Sequence, residues 1–180
     1  MPPIIRTATP VDIAHIHALV ESGYRGESAK RGWTHEADLL GGQRTDAEAL
    51  ACIIADPAQT LLLAEADGVL VGCVLVADEG EREPSIRVAY LGMLTVDPAL
   101  QGGGLGRILI AAAEQHALSI GATIMEMTVI RQRTELIDWY VRCGYARTGR
   151  EKPFPLDDRR FGEPKTRDLV FVVLGKQLAG

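Results

Sequence analysis

The chain has 180 residues, enough for one compact domain over residues 1–180, and its 47% hydrophobic and 5% aromatic content suits an ordinary α/β protein. A formal net charge of −5 gives no support to nucleic-acid binding, which usually shows a basic patch, and is mildly compatible with a cationic substrate. No run approaches the ~18 apolar residues of a membrane helix, and Met1 to Arg6 carries no basic stretch followed by an apolar one, so a cytoplasmic protein with no membrane partner is expected.

Ile4 to Thr7 reads as a short edge strand. Thr9-Pro10-Val11-Asp12 opens a helix, with Thr9 able to cap, Pro10 suited to the first turn and Asp12 at the positive end of the dipole. Ile13, Ile16, Leu19 and Val20 give it a buried face, and Gly23 is expected to end it. Tyr24 to Gln43 is polar and irregular but holds Trp33. Thr45 and Glu48 form the pattern of a capping box for a second helix, which Asp56-Pro57 stops after Ala55. Leu61 to Glu65 and Val69 to Ala77 flank Asp67-Gly68, a strong hairpin signal, and a polar loop is expected from Asp78 to Ser85.

Ile86 to Val96 is rich in β-branched and apolar residues and reads as a long strand. A glycine cluster then leads into a helix from Leu105 to Ser119. Ala122 to Ile130 reads as a buried strand, Glu135 to Cys143 as a short helix with Gly144 at its C′ position, and Tyr145 to Thr148 as a strand. Lys152 to Lys165, with Pro153, Pro155 and Pro164, reads as a loop before a closing strand from Leu169 to Leu174. The order predicts an α/β fold with a mixed, mostly antiparallel sheet flanked by helices.

Chemistry concentrates at Gln101-Gly102-Gly103-Gly104-Leu105-Gly106-Arg107, where a strand runs through glycines into a helix. Bare backbone N–H groups and a helix start together suit a phosphate or pyrophosphate. A dinucleotide-type G-x-G-x-x-G fails, because Arg107 stands at its third glycine, and no Gly-Lys-Ser/Thr triplet supports a P-loop. A turn without a ligand is the plainer reading, but glycine costs roughly 0.5–1 kcal/mol per residue in ordered structure, which argues against four in this short stretch. What fits is Q/R-x-x-G-x-G/A, filled by Gln101, Gly104 and Gly106, preceded by Leu94-x-Val96-x-Pro98. Further on, Leu136-Ile137-Asp138-Trp139-Tyr140 ends in Tyr140-x-x-x-Gly144-Tyr145.

These two stretches, spanning Ala89 to Tyr145, resemble the signatures of the GNAT superfamily of acetyl-CoA-dependent N-acetyltransferases. The resemblance implies a GNAT-like acyl-CoA N-acyltransferase fold, acetyl-CoA as co-substrate, a small-molecule or peptide amine as acceptor, direct attack in a ternary complex, and a homodimer. It assigns the pyrophosphate to the backbone of Gln101 through Arg107. The pantetheine arm falls to main-chain groups along Leu94, Thr95 and Val96, as an added strand would pair. Tyr140 becomes the phenol beside the leaving sulfur, against the simpler reading of a core aromatic. Where many relatives carry asparagine, this sequence has Arg133, which either reaches a CoA phosphate bidentately or is a surface charge.

No motif identifies the general base. Glu126 lies on the strand after the helix, where an outward-facing position is the alternative. Trp33, Glu36 and Asp38 lie in the irregular segment that walls the acceptor pocket in this family. Glu36 thus serves as base candidate and, with Trp33 and Asp38, as acceptor-binding candidate; an acidic pocket from Glu36, Asp38 or Glu126 would favour a cationic acceptor. His35 either relays a proton or is a solvated loop residue. Cys52, Cys73 and Cys143 form no C-x-x-C pair and read as free thiols, and no metal-ligand spacing is present, so no metal is expected. A non-catalytic acyl-CoA-binding or sensor module on the same fold stands as the alternative.

Overall fold

The structure is a computed structural model that describes residues 1–179. It begins with β1 (Ile4–Thr7), a 3-10 turn at Pro10–Asp12 and α1 (Ile13–Tyr24). Asp12 anchors this start. Its carboxylate accepts from the Thr9 backbone N–H at 2.8 Å and from the Arg6 guanidinium at 2.9 and 2.7 Å. Arg6 also donates to Glu65 at 2.6 Å, which ties the first strand and helix to the neighbouring strand.

Ile16, Leu19 and Val20 form the buried stripe of α1. Gly23 lies inside this helix and does not end it. A Cβ there would sit 2.6 Å from Thr95 Cγ2, so the missing atom lets the helix ride directly on a strand. The chain leaves the helix at Arg25, where φ is −128°. Then come α2 (Gly26–Ala29), β2 (Leu40–Gly41) and α3 (Ala47–Ala55). Asp46, not Thr45, caps α3, accepting from the Ala49 N–H at 2.8 Å. Thr45 is buried and donates its N–H to Glu21 at 2.8 Å.

The hairpin of β3 (Gln59–Ala66) and β4 (Val69–Glu83) turns at Asp67 and Gly68, with φ of 51° and 76°. Both positive values match the turn type that Asp-Gly favours. β4 runs on to Glu83 and absorbs most of the expected loop at Asp78–Ser85. Cross-strand charge pairing, Asp78 with Arg87 of β5 (Ile86–Val96), supports this polar extension, which apolar alternation does not mark. The remaining elements are α4 (Leu105–Ser119), β6 (Ile124–Ile130), α5 (Thr134–Arg142), β7 (Ala146–Pro153), β8 (Glu163–Pro164) and β9 (Val170–Gln177). The last two long strands thus extend past the expected Thr148 and Leu174, and β8 lies within the expected loop.

Seven strands make one sheet in the order β1-β3-β4-β5-β6-β9-β7, and β2 pairs with β8 apart from it. Every pairing is antiparallel except β5 with β6. Alternation along β3 divides the core: Leu61 and Leu63 pack with α1 and α3, while Leu62 and Ala64 pack with α4 and α5. β5 and β6 stay paired only at Val88↔Ile124, Ala89↔Met125 and Tyr90↔Glu126. Beyond Tyr90 they part. On the other edge β5 bulges against β4 between Cys73 and Leu75, and Met93 takes a φ of 50°. The β2–β8 pairing straps the loop after β7 across the segment after α2, helped by Lys165, whose Nζ donates to Ala37 O at 2.5 Å. Among the described residues no helix is long and apolar enough to cross a membrane.

The Arg6 guanidinium, outweighing burial, holds the Asp12 carboxyl well below the usual carboxylate range. A depressed folded value means the stabilisation is present above the unfolded value near ~4 and is lost as pH falls below it. Asp12→Asn is expected to lower unfolding free energy by about 2 kcal/mol at pH 7, and urea melts should show this gap narrowing below about pH 4.

Candidate functional site

Past β5, the Asp97 carboxylate accepts from the Ala99 N–H at 2.9 Å and turns the chain through Pro98–Leu100 towards the glycines. Gly102 and Gly104 take φ of 87° and 89°, and a Cβ on either would meet nothing within 4 Å. These glycines therefore serve backbone conformation and open access, not internal packing. The backbone N–H groups from Gly102 to Gly106 have no acceptor among the described residues; the first such bonds run from Arg107 and Ile108 to Gly104 O, at 3.1 and 3.2 Å. With the positive end of α4 behind them, they form an anion cradle. The cradle lines a cleft of about 860 Å³ together with Trp33, Leu94, Thr95, Val96, Gln101 and Arg107. Gly103 is not part of this lining. Gln101 folds back against Gly32, and its Oε1 is buried without a partner. A Cβ at Gly106 would lie 3.1 Å from the Trp139 ring, so α4 and α5 approach closely at the cleft.

A second cavity, of about 880 Å³, opens on the other side of the parted strands. The two cavities share Tyr24, Leu94, Arg133, Leu136 and Tyr140. Tyr24 donates its hydroxyl to Leu94 O at 2.8 Å. The Tyr140 ring is held edge-on to Trp139 and Tyr145, at 5.1 and 6.1 Å between centroids, while its hydroxyl makes no hydrogen bond among the described residues. Burial pushes the Tyr24 phenol up to about 12 and the Tyr140 phenol further still, so both keep their protons at neutral pH. Sequence reasoning left Tyr24 unassigned. Its position four residues after buried Val20, on the same helical face, was the available signal.

The expected acidic pocket is not there. Glu126 lines neither cavity and pairs with Arg82 at 2.8 Å and with Arg150. Burial raises its carboxyl, but these two guanidinium groups outweigh that and hold it below the usual range, as an ionised group paired outside both cavities. Asp38 is exposed and 3.6 Å from Lys30. Trp33 lines the glycine-loop cleft, packed 6.1 Å from Trp139, and lies outside the second cavity. Glu36 does line the second cavity, but between Arg25 and Arg133, with Oε2 accepting from Arg133 at 3.3 Å. Arg133 is not a surface charge, and it lines both cavities. It is buried at the seam, donating also to Thr34 at 2.8 Å. The His35 Nδ1 is buried without a partner and lines neither cavity. Arg25 and Arg44, both on the second cavity, come from segments that carried no motif. Among the described residues no cluster of His, Cys, Asp and Glu is placed to hold a metal ion.

Residues 17–145 match the sequence profile described as the acetyltransferase (GNAT) family. A mycothiol acetyltransferase from Sanguibacter keddieii is 35% identical over 102 residues, covering 54% of this chain and 32% of the relative. The chain spans about a third of the length of the curated relatives it matches. Among solved structures, yncA from Salmonella typhimurium with its cofactor acetyl-CoA is 20% identical with a TM-score of 0.71, covering 100% of this chain and 96% of that one. A ribosomal-protein-alanine N-acetyltransferase from Brucella melitensis is 18% identical with a TM-score of 0.70, covering 97% and 99%. At these identities the structural likeness speaks for the fold.

Gly104→Val would place a β-branched residue at a φ of 89° and its methyl groups in the cradle. Titration calorimetry should show acetyl-CoA binding lost in the variant, while the strain of about 1–2 kcal/mol lowers the melting temperature by only a few degrees.

Proposed function

This chain belongs to the acetyltransferase (GNAT) family, and from that premise we propose that it carries an acetyl group from acetyl-CoA to an amine in a ternary complex. The observation that carries the reading is the seam: an anion cradle with its cleft on one side, a second cavity on the other, and Tyr140 shared between them. An acyl-CoA-binding module would need only the first cavity.

The residues fit the co-substrate. Free N–H groups from Gly102 to Gly106 hold its pyrophosphate, and no side chain blocks them. The β5 edge from Leu94 to Val96, unpaired on the β6 side, offers its main chain to the extended pantetheine arm. When bound, acetyl-CoA supplies an acyl group activated as a thioester. Main-chain N–H groups at that edge polarise the carbonyl. Tyr140, held by its aromatic neighbours and protonated, gives its hydroxyl proton to the departing sulfur.

Among the described residues no free carboxylate lines either cavity near the seam, since Glu36 serves two guanidinium groups. The acceptor amine therefore arrives neutral or sheds its proton to water. Two predictions follow from these assignments. Tyr140→Phe should lower kcat by about 10²-fold with acetyl-CoA affinity unchanged in calorimetry; unchanged kcat would remove the phenol from the chemistry. The pH dependence of kcat/KM, measured by CoA release with two acceptors of different basicity, should rise with pH and level off near each acceptor's own amine pKa. One shared inflection for both would instead report a protein base.

A further inference from the structure

The second cavity carries a charge that acetyl transfer to a plain amine does not use. Its charged lining is Arg25, Arg44 and Arg133 against Glu36 alone, which leaves a net charge of +2 on the wall. Arg25 and Arg133 are 6% and 7% exposed, and Glu36 is 7% exposed. The single carboxylate stands between the two buried guanidinium groups, one oxygen to each. The Nε atoms of Arg25 and Arg133 are both buried without a hydrogen-bond partner, and Glu135, half-exposed and outside the cavity lining, comes no closer to Arg133 Nε than 4.0 Å. Arg44 lies 5.0 Å over the Tyr24 ring at the same cavity, outside any ion pair among the described residues. A buried cation in excess of its counter-ions carries a desolvation cost that an anion removes, and guanidinium is shaped to grip an oxyanion through two N–H groups. Most of the remaining wall is apolar, with Leu40, Phe154, Phe161 and Phe171.

We propose that the acceptor is an amine that also carries an oxyanion, and that the class fitting this cavity is a free α-amino acid with an apolar side chain. The proposal rests on the acetyl-transfer reading and adds the acceptor to it. The carboxylate sits among Arg25, Arg44 and Arg133, the side chain lies against the aromatic wall, and the amine reaches the seam at Leu94 and Tyr140. There the amine nitrogen forms a bond to the acetyl carbonyl carbon and the C–S bond breaks. The nitrogen loses a proton to water, the sulfur takes the Tyr140 hydroxyl proton, solvent returns a proton to the phenolate, and CoA leaves as its thiol. The product keeps its carboxylate and loses its basic nitrogen. A cationic acceptor, suggested by the acidic overall charge, meets the wrong sign here.

The test measures CoA release at saturating acetyl-CoA for leucine, methionine and phenylalanine, for their carboxamides, and for spermidine. The amino acids should exceed their amides in kcat/KM by about 10²-fold or more, mainly through KM, with spermidine lowest. Substituting Arg25 or Arg133 would leave Glu36 short of a partner inside the protein and risks misfolding, so Arg44→Gln is the informative variant. It should raise KM for the amino acids about tenfold and leave KM for the amides alone. Amides or spermidine used as well as the amino acids, or an Arg44→Gln effect equal on both sets, would overturn the proposal while leaving acetyl transfer intact. Acetyl-CoA binding with no release of CoA to any of these amines would overturn the acetyl-transfer reading together with it.

Discussion

Three residue pairs hold β5 to β6, and then the strands separate. A gap of this kind inside a sheet leaves main-chain groups that must find partners elsewhere. Tyr24 meets one such need by donating to Leu94 O from α1. The rest of the edge, out to Val96, borders a cleft. Met93 makes the departure compatible with continued pairing on the other side, since its positive φ and the bulge against β4 redirect β5 without tearing the sheet. Both cavities, and the residues they share, exist because of this opening. The glycine loop lies at one side of it and the Arg25–Glu36–Arg133 cluster at the other.

The electrostatics follow the opening and not the composition. The chain is acidic overall, with a formal net charge of −5, yet both cavity walls present positive groups. In the first these are the backbone dipoles of the glycine loop, which need no counter-ion, beside Arg107 and the shared Arg133. In the second they are full charges, and a shared carboxylate only partly neutralises them. Net charge describes solubility and long-range behaviour, whereas recognition is decided within the few ångströms around a buried group.

Element order was legible because the local signals were independent of tertiary context. Asp67-Gly68 demanded a hairpin turn, the run from Ile86 to Val96 was apolar and β-branched, and the bounds of β5 and α4 match the sequence reading. The glycine loop was legible for the same reason: its conformation and its function lie in one contiguous stretch. The second cavity was not. Its charged residues come from Arg25 after α1, Glu36 and Arg44 before α3, and Arg133 at the start of α5, and no spacing along the chain announces their meeting. Glu126 shows a different limit. It shares a face with Thr128 and Ile130, which line the second cavity, but it stands opposite Tyr90 at the last pair before β5 and β6 separate, and alternation does not say where along a strand its neighbour parts from it. The β2–β8 strap was hidden because two-residue strands carry no periodicity at all.

Gly23 was read as a stop signal and stands instead at a contact. It faces Thr95 across a distance that leaves no room for a side-chain carbon, and Thr95 itself is buried with its hydroxyl on Met93 O at 3.1 Å. The spacing between helix and strand is thus set by an absent atom. Tyr24 follows immediately and lines both cavities, so the height of its ring at the seam is inherited from position 23. Even alanine there would act as a spacer between helix and strand, at a position that itself lines the first cleft. That makes the smallest residue of the helix the gauge block of the site, and it subjects a position with no chemistry of its own to the same tolerance as the groups that do the chemistry.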